Sequence, residues 1–76
     1  MSRFLIIIEK GDSNYSAYAP DLPGCIATGK TLEEVKANMR QAIKMHVEGM
    51  LEDRESIPVP QTTAEYLDIP VPDSAA

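Results

Sequence analysis

A chain of 76 residues has room for one core, because two smaller cores would not offset the conformational entropy lost on folding. With 12 acidic against 7 basic residues and a net charge of −5, it lacks the positive footprint that grips phosphates, so direct nucleic-acid binding is excluded as a leading role. One Cys and one His exclude an intramolecular disulfide and a one-chain tetrahedral zinc site; no metal or cofactor is expected, and the reducing cytoplasm is the expected compartment.

Arg3 to Glu9 reads as the first strand, with Phe4, Leu5, Ile6, Ile7 and Ile8 apolar on both alternating faces, which predicts a central or covered position. The polar turn Lys10 to Asn14 then leads into a second strand, Tyr15 to Ala19. Along it Tyr15, Ala17 and Ala19 share one face, and Ser16 and Tyr18 the other. Pro20 to Gly24 breaks the ladder, because two prolines remove backbone donors and Gly24 accepts a positive φ. A third strand follows from Cys25 to about Thr28.

Thr31, with Glu34 three residues on, has the spacing of a capping box and starts a helix. Leu32, Val35, Met39, Ala42, Ile43, His46 and Met50 recur on a 3.6-residue period and are expected to face the sheet. About 20 helical residues span roughly 30 Å against roughly 20 Å for a six-residue strand, so the helix is expected to overhang. In the overhang Met45, Val47 and Leu51 lie off the stripe, which leaves apolar surface for a partner. Gly49 marks a place where the helix ends or packs closely.

Beyond Arg54, Pro58, Pro60, Pro70 and Pro72 forbid further helix. The expected division is therefore a domain over 1–54 and a Pro-rich acidic tail over 55–76. Within the tail, Thr63 to Leu67 is expected to turn once and Leu67 to Val71 to lay a short edge strand, since a meander leaves the apolar first strand open unless the tail or a second subunit covers it. The fold class that follows is α+β: a three-stranded antiparallel meander, β-β-β-α, packed in two layers on one long helix. No segment approaches the roughly 20 apolar residues that a membrane helix needs. With one Phe, no Trp and three Tyr to supply large buried surfaces, a homodimer or homotetramer is expected, with Met45, His46, Val47, Met50 and Leu51 at its interface.

Signals of catalysis are weak. His46 has no partner specified around it, and Cys25 lacks an evident base, so both read as packing residues and no catalytic residue is assigned. Glu33 and Glu34 are adjacent on a helix and point apart; their ordinary role is to favour the positive end of the helix dipole.

The run Tyr18-Ala19-Pro20-Asp21-Leu22-Pro23-Gly24-Cys25, followed by Gly29, Thr31-Leu32-Glu33-Glu34-Val35, Asn38 and Ala42-Ile43, resembles the HicB-like antitoxins, over roughly Arg3 to Leu51. The resemblance implies a partial ribonuclease-H-like β-β-β-α arrangement without that fold's catalytic acids. It also implies a function: neutralising a small basic ribonuclease, a HicA-like mRNA interferase toxin, by covering its active site. Many relatives carry a further DNA-binding domain. The residues after Leu51 are too few and too poorly patterned for one, so repression through this chain's own DNA contacts is not expected.

The leading expectation is thus a non-enzymatic protein-binding module that meets its partner through Tyr18, Asp21, Leu22, Glu33 and Glu34. An alternative is a homo-oligomeric small-molecule-binding or regulatory domain, with a ligand between helix and sheet near Tyr18, Cys25 and His46. A hydrolase using Cys25 or His46 ranks last.

Overall fold

The computed structural model describes residues 2–73, so Met1 of the expected domain and residues 74–76 of the expected tail lie outside the described residues. Three strands, β1 (Ile7–Lys10), β2 (Tyr15–Tyr18) and β3 (Ile26–Gly29), precede one helix, α1 (Leu32–Glu52). The sheet order is β1-β2-β3, and both pairings are antiparallel. The α+β meander expected from the sequence is therefore present, with four residues in each strand and β1 starting at Ile7 rather than Arg3.

The registers place Ile7 opposite Tyr18 and Tyr18 opposite Ile26, and one step along Ile8 opposite Ala17 and Ala17 opposite Ala27. Side chains alternate across a strand, so these two rows lie on opposite faces. The Ala17 row faces the helix and is small, which lets α1 approach closely. Ala17, Ala19, Leu22, Cys25, Val35 and Met39 form the buried core, with Phe4, Ile6, Ile8, Tyr15, Ala27, Ala42, Ile43, Val47 and Met50 packed around it.

Both ends of α1 are set by local hydrogen bonding. Thr31 is extended at the N-cap and its Oγ1 accepts the Glu34 N–H at 3.0 Å, while Glu34 Oε1 accepts the Lys30 N–H at 2.9 Å. This is the predicted reciprocal cap, with the returning carboxylate one residue earlier than in the usual box. At the other end the Arg54 N–H bonds the Leu51 carbonyl and the Glu55 N–H the Met50 carbonyl, a Schellman closure. Arg54 takes φ 57 there, a left-handed conformation that glycine normally supplies.

Several expectations are corrected. Leu32 is 47% exposed rather than part of the sheet-facing stripe, and Val47, expected off the stripe, packs against the core. The reason is that Val35 and Met39 take the centre of the contact, which rotates the preceding turn outwards and brings Val47 under. Gly49 neither ends the helix nor packs closely; a Cβ there would meet nothing within 4 Å. The close approach is at Gly29 instead, where a Cβ would lie 2.5 Å from the Val35 nitrogen and 2.8 Å from its Cα. β1 is a half-buried edge strand rather than a central or covered one. Neither the turn at Thr63–Leu67 nor the edge strand at Leu67–Val71 forms within the chain: residues 55–72 carry no helix or strand. Pro70 and Pro72 remove donors, and Leu67, Ile69 and Val71 stay 79%, 68% and 81% exposed.

Candidate functional site

The run Ala19 to Cys25 is a double turn. The Leu22 N–H bonds the Ala19 carbonyl and the Cys25 N–H bonds the Leu22 carbonyl, each at 3.0 Å, with Pro20 and Pro23 leading the two turns. Gly24 at φ 82 supplies the positive φ that the second turn needs. The Ala19 N–H bonds the Cys25 carbonyl at 3.2 Å and closes the base. The shared residue, Leu22, drops its side chain into the core and is wholly buried. Its expected place among the contact residues is corrected on that ground, because it anchors the loop from below and presents no side chain outside.

Tyr18 and Asp21 stay at the surface beside this turn. Tyr18 is 43% exposed on the outer sheet face, between Ile7 and the 69% exposed Ile26. Asp21 is occupied by the carboxyl-terminal segment: its Oδ1 accepts from the Thr62 hydroxyl at 2.9 Å and its Oδ2 from the Thr62 N–H at a long 3.4 Å. The Thr62 hydroxyl holds the Asp21 carboxyl below its ordinary value of 3.8, against a smaller upward push from burial and with help from the Gln61 and Thr62 backbone.

Glu33 and Glu34 lie elsewhere. β2 runs from Tyr15 to Tyr18, and the register pairs Tyr15 with Gly29, so the helix start lies at the end of the sheet opposite the double turn. Four residues of strand separate the two ends by roughly 13 Å. The expected contact set is therefore not a single patch. Glu34 is committed to the cap and Glu33 is exposed.

The antiparallel return of α1 brings its far half to the double turn. Pro23 lines a groove together with Met45, His46, Gly49, Met50, Asp53 and Glu55. Of the residues expected at an oligomer interface, Met45, His46 and Met50 enter this groove, Leu51 is 61% exposed, and Val47 turns to the core. The floor is apolar and the rim, at Asp53 and Glu55, is acidic. Sequence reasoning assigned the turn and the overhang to separate tasks. The signal that they meet was the helix length, since a helix of 21 residues starting beyond β3 must return past the turn that precedes β3.

Cys25 is buried and burial pushes its thiol up, away from the thiolate form that a nucleophile needs. Cys25 faces the helix while Tyr18 faces away from it, so the ligand site expected near Tyr18, Cys25 and His46 is not assembled. Among the described residues no group of three His, Cys, Asp or Glu is placed to hold a metal ion, and no helix is long and apolar enough to cross a membrane.

Fold and surface together define a small two-layer β-β-β-α domain with an acid-rimmed groove where its double turn meets its helix. The chain belongs to the HicB-like antitoxins of bacterial toxin-antitoxin systems, whose family model matches residues 4–73. It is 43% identical over 65 residues to an uncharacterised 14.9 kDa protein of Haemophilus phage HP1, covering 86% of this chain and 49% of that one. It is 29% identical to antitoxin HicB 2 of Photorhabdus laumondii, covering 90% of this chain and 50% of that one. The chain thus spans about half the length of these two relatives. A UPF0150 protein of Thermoplasma acidophilum is nearer in size: 36% identical, with 76% of this chain and 84% of the relative covered. Among solved structures, a chain of a HicA3 and HicB3 toxin-antitoxin complex is similar at a TM-score of 0.67 and 27% identity, over 79% of this chain and 70% of that one.

Proposed function

We propose that this chain is the antitoxin of a toxin-antitoxin pair, a non-enzymatic module of the cytoplasm. It neutralises a small basic ribonuclease, a HicA-like mRNA interferase, by covering its active site. The observation that carries the reading is the family match over residues 4–73, supported by the likeness to a chain of a toxin-antitoxin complex. The three-stranded sheet with its single helix is the partial ribonuclease-H-like arrangement of the family, used as a binding surface. The net charge of −5 complements a basic toxin, since opposite potentials speed encounter and reject wrong partners.

Contact is made at the turn end, by Tyr18 and Asp21 on the loop that Leu22 anchors, with Asp53 and Glu55 on the groove rim. Glu33 adds a more distant acidic contact, and Glu34 serves the interface through the cap it makes. The chain self-associates as a homodimer or homotetramer, through the exposed Met45 and Leu51 with the half-buried His46 and Met50 beside them. A small-molecule role is not favoured, because the residues expected to line its site face opposite sides of the sheet.

Coexpression with the adjacent small basic open reading frame tests the reading: copurification and relief of growth arrest are expected, and failure of both sinks it. Exchanging Asp21 and Glu33 for Lys tests the contact set, leaving the Glu34 cap intact. A loss of at least about tenfold in toxin affinity is expected, in keeping with charge pairs across such surfaces. Unchanged affinity removes these contacts but not the antitoxin role.

A further inference from the structure

The two edges of the sheet are treated differently. At the β3 side the helix packs closely: Asn38 Nδ2 donates to the Thr28 carbonyl at 2.8 Å, and Gly29 lies against the Val35 backbone. At the β1 side no strand among the described residues pairs. The helix covers β3 and β2 far more than β1, so Phe4, Ile6 and Ile8, on the helix-facing side, remain only half-buried. The chain before β1 borders an open groove lined by Arg3, Phe4, Leu5 and Ile6 on one wall and by Pro60 and Thr62 on the other. The apolar start of this unbulged edge, at Ile7 and Ile8 and the residues before them, is a template for another strand.

The same chain carries a segment with the chemistry of that strand. From Glu65 to Val71 the backbone joins no helix or strand, and Leu67, Ile69 and Val71 recur with period two while mostly exposed. In a strand the backbone groups of alternate residues point to the same edge. Pro70 falls on the edge shared with Tyr66 and Asp68, so the other edge, served by Glu65, Leu67, Ile69 and Val71, keeps every donor. That parity is what a strand needs in order to pair on one side only.

The segment does not use this edge at home. Its root is tied to the double turn through Thr62 and Asp21, and beyond the root Tyr66 is fully exposed. The longest dimension of the molecule is 57 Å, whereas the 21-residue helix accounts for roughly 31 Å. A radius of gyration of 16.0 Å, against about 11 Å for a compact chain of this length, likewise places the segment away from its own domain.

We propose that residues 65–71 of one copy pair with the free edge of β1 in a second copy, each chain giving and receiving one strand. Leu67, Ile69 and Val71 then complete the half-covered layer beside Phe4, Ile6 and Ile8. Asp68, on the opposite face from Leu67 and Ile69, approaches the partner groove that holds Arg3, the one charged residue among the described residues lining it. A reciprocal exchange closes with two-fold symmetry, and the outer edge of the donated strand, interrupted by Pro70, is a poor template for further addition. This deepens the self-association in the reading above and rests on it, and it is independent of any toxin.

Sedimentation of the full chain, alone, tests it with two single exchanges of exposed residues. Ile69→Pro removes a donor from the pairing edge, and Asp68→Pro removes one from the edge that proline already interrupts. Ile69→Pro is expected to weaken the dimer at least about 30-fold, and Asp68→Pro by no more than about threefold. Circular dichroism should show the same helix content in both, because neither residue touches the core. A chain that is monomeric throughout overturns both the exchange and self-association. A dimer indifferent to Ile69→Pro, or weakened equally by both exchanges, overturns the exchange alone and returns self-association to Met45 and Leu51.

Discussion

The two halves of α1 differ in what they are for. The first half is capped by Thr31 and Glu34, lies against the backbone of Gly29, and buries Val35 and Met39 completely. The second half runs past the sheet, leaves Met45 and Leu51 61% exposed, and closes on an arginine in a glycine conformation. The second half still packs Val47 and Met50 against the core, but only the first half buries side chains completely. The lesson is that periodicity alone reports that a helix has an apolar face, whereas the length of the sheet beneath decides how much of that face is spent on the core.

Breaking the first half should be far more costly than altering the second. Met39→Ala is expected to lose about 2–5 kcal/mol in urea unfolding, while Met45→Ala stays within about 0.5 kcal/mol. Equal losses would erase the division. The two glycines sharpen it further. Gly29→Ala drives a Cβ into the backbone of Val35, which cannot yield as a side-chain tip would, so a loss of about 3 kcal/mol is expected. Gly49→Ala meets open space and should gain about 0.5–1 kcal/mol. At the helix ends, Thr31→Ala should lose about 1 kcal/mol with its cap, and Arg54→Gly should gain up to about 1 kcal/mol by relieving the left-handed residue. A stabilising Thr31→Ala would show that the cap is incidental.

The smallest effect concerns Asp21. Its carboxyl is held low in the folded chain, so its bond to Thr62 is fully present above the ordinary value of 3.8 and is lost as pH falls through the lower folded value. Following the Thr62 amide by NMR through an acid titration should give a midpoint below 3.8, and Asp21→Asn should abolish that transition. A midpoint at or above 3.8 would mean that the carboxyl-terminal segment is not held by this carboxylate.

What was legible in the sequence was local. Thr31 and Glu34 three apart, Pro-Gly at 23 and 24, and the alternation of Tyr15, Ala17 and Ala19 against Ser16 and Tyr18 each express a rule that acts within a few residues, and each places its element correctly. The order of strands and helix follows from those rules. The candidate surface was only half legible, because strand alternation puts Tyr18 outside and the turn holds Asp21 at the surface, whereas the distances between groups depend on where the chain returns.

Tertiary structure alone decided the rest. It sent Leu22 inward, put Glu33 and Glu34 at the far end of the sheet from Asp21, and joined Pro23 to Met45, His46 and Met50. It also made Gly29 rather than Gly49 the position where a side chain cannot fit. The physical reason is that hydrogen-bond geometry and side-chain alternation are short-ranged, while burial is settled by competition among all apolar groups for one small core. Among the described residues six are fully buried by that competition, and apolar groups left outside it, such as Met45 and Leu51, became the surface offered to partners.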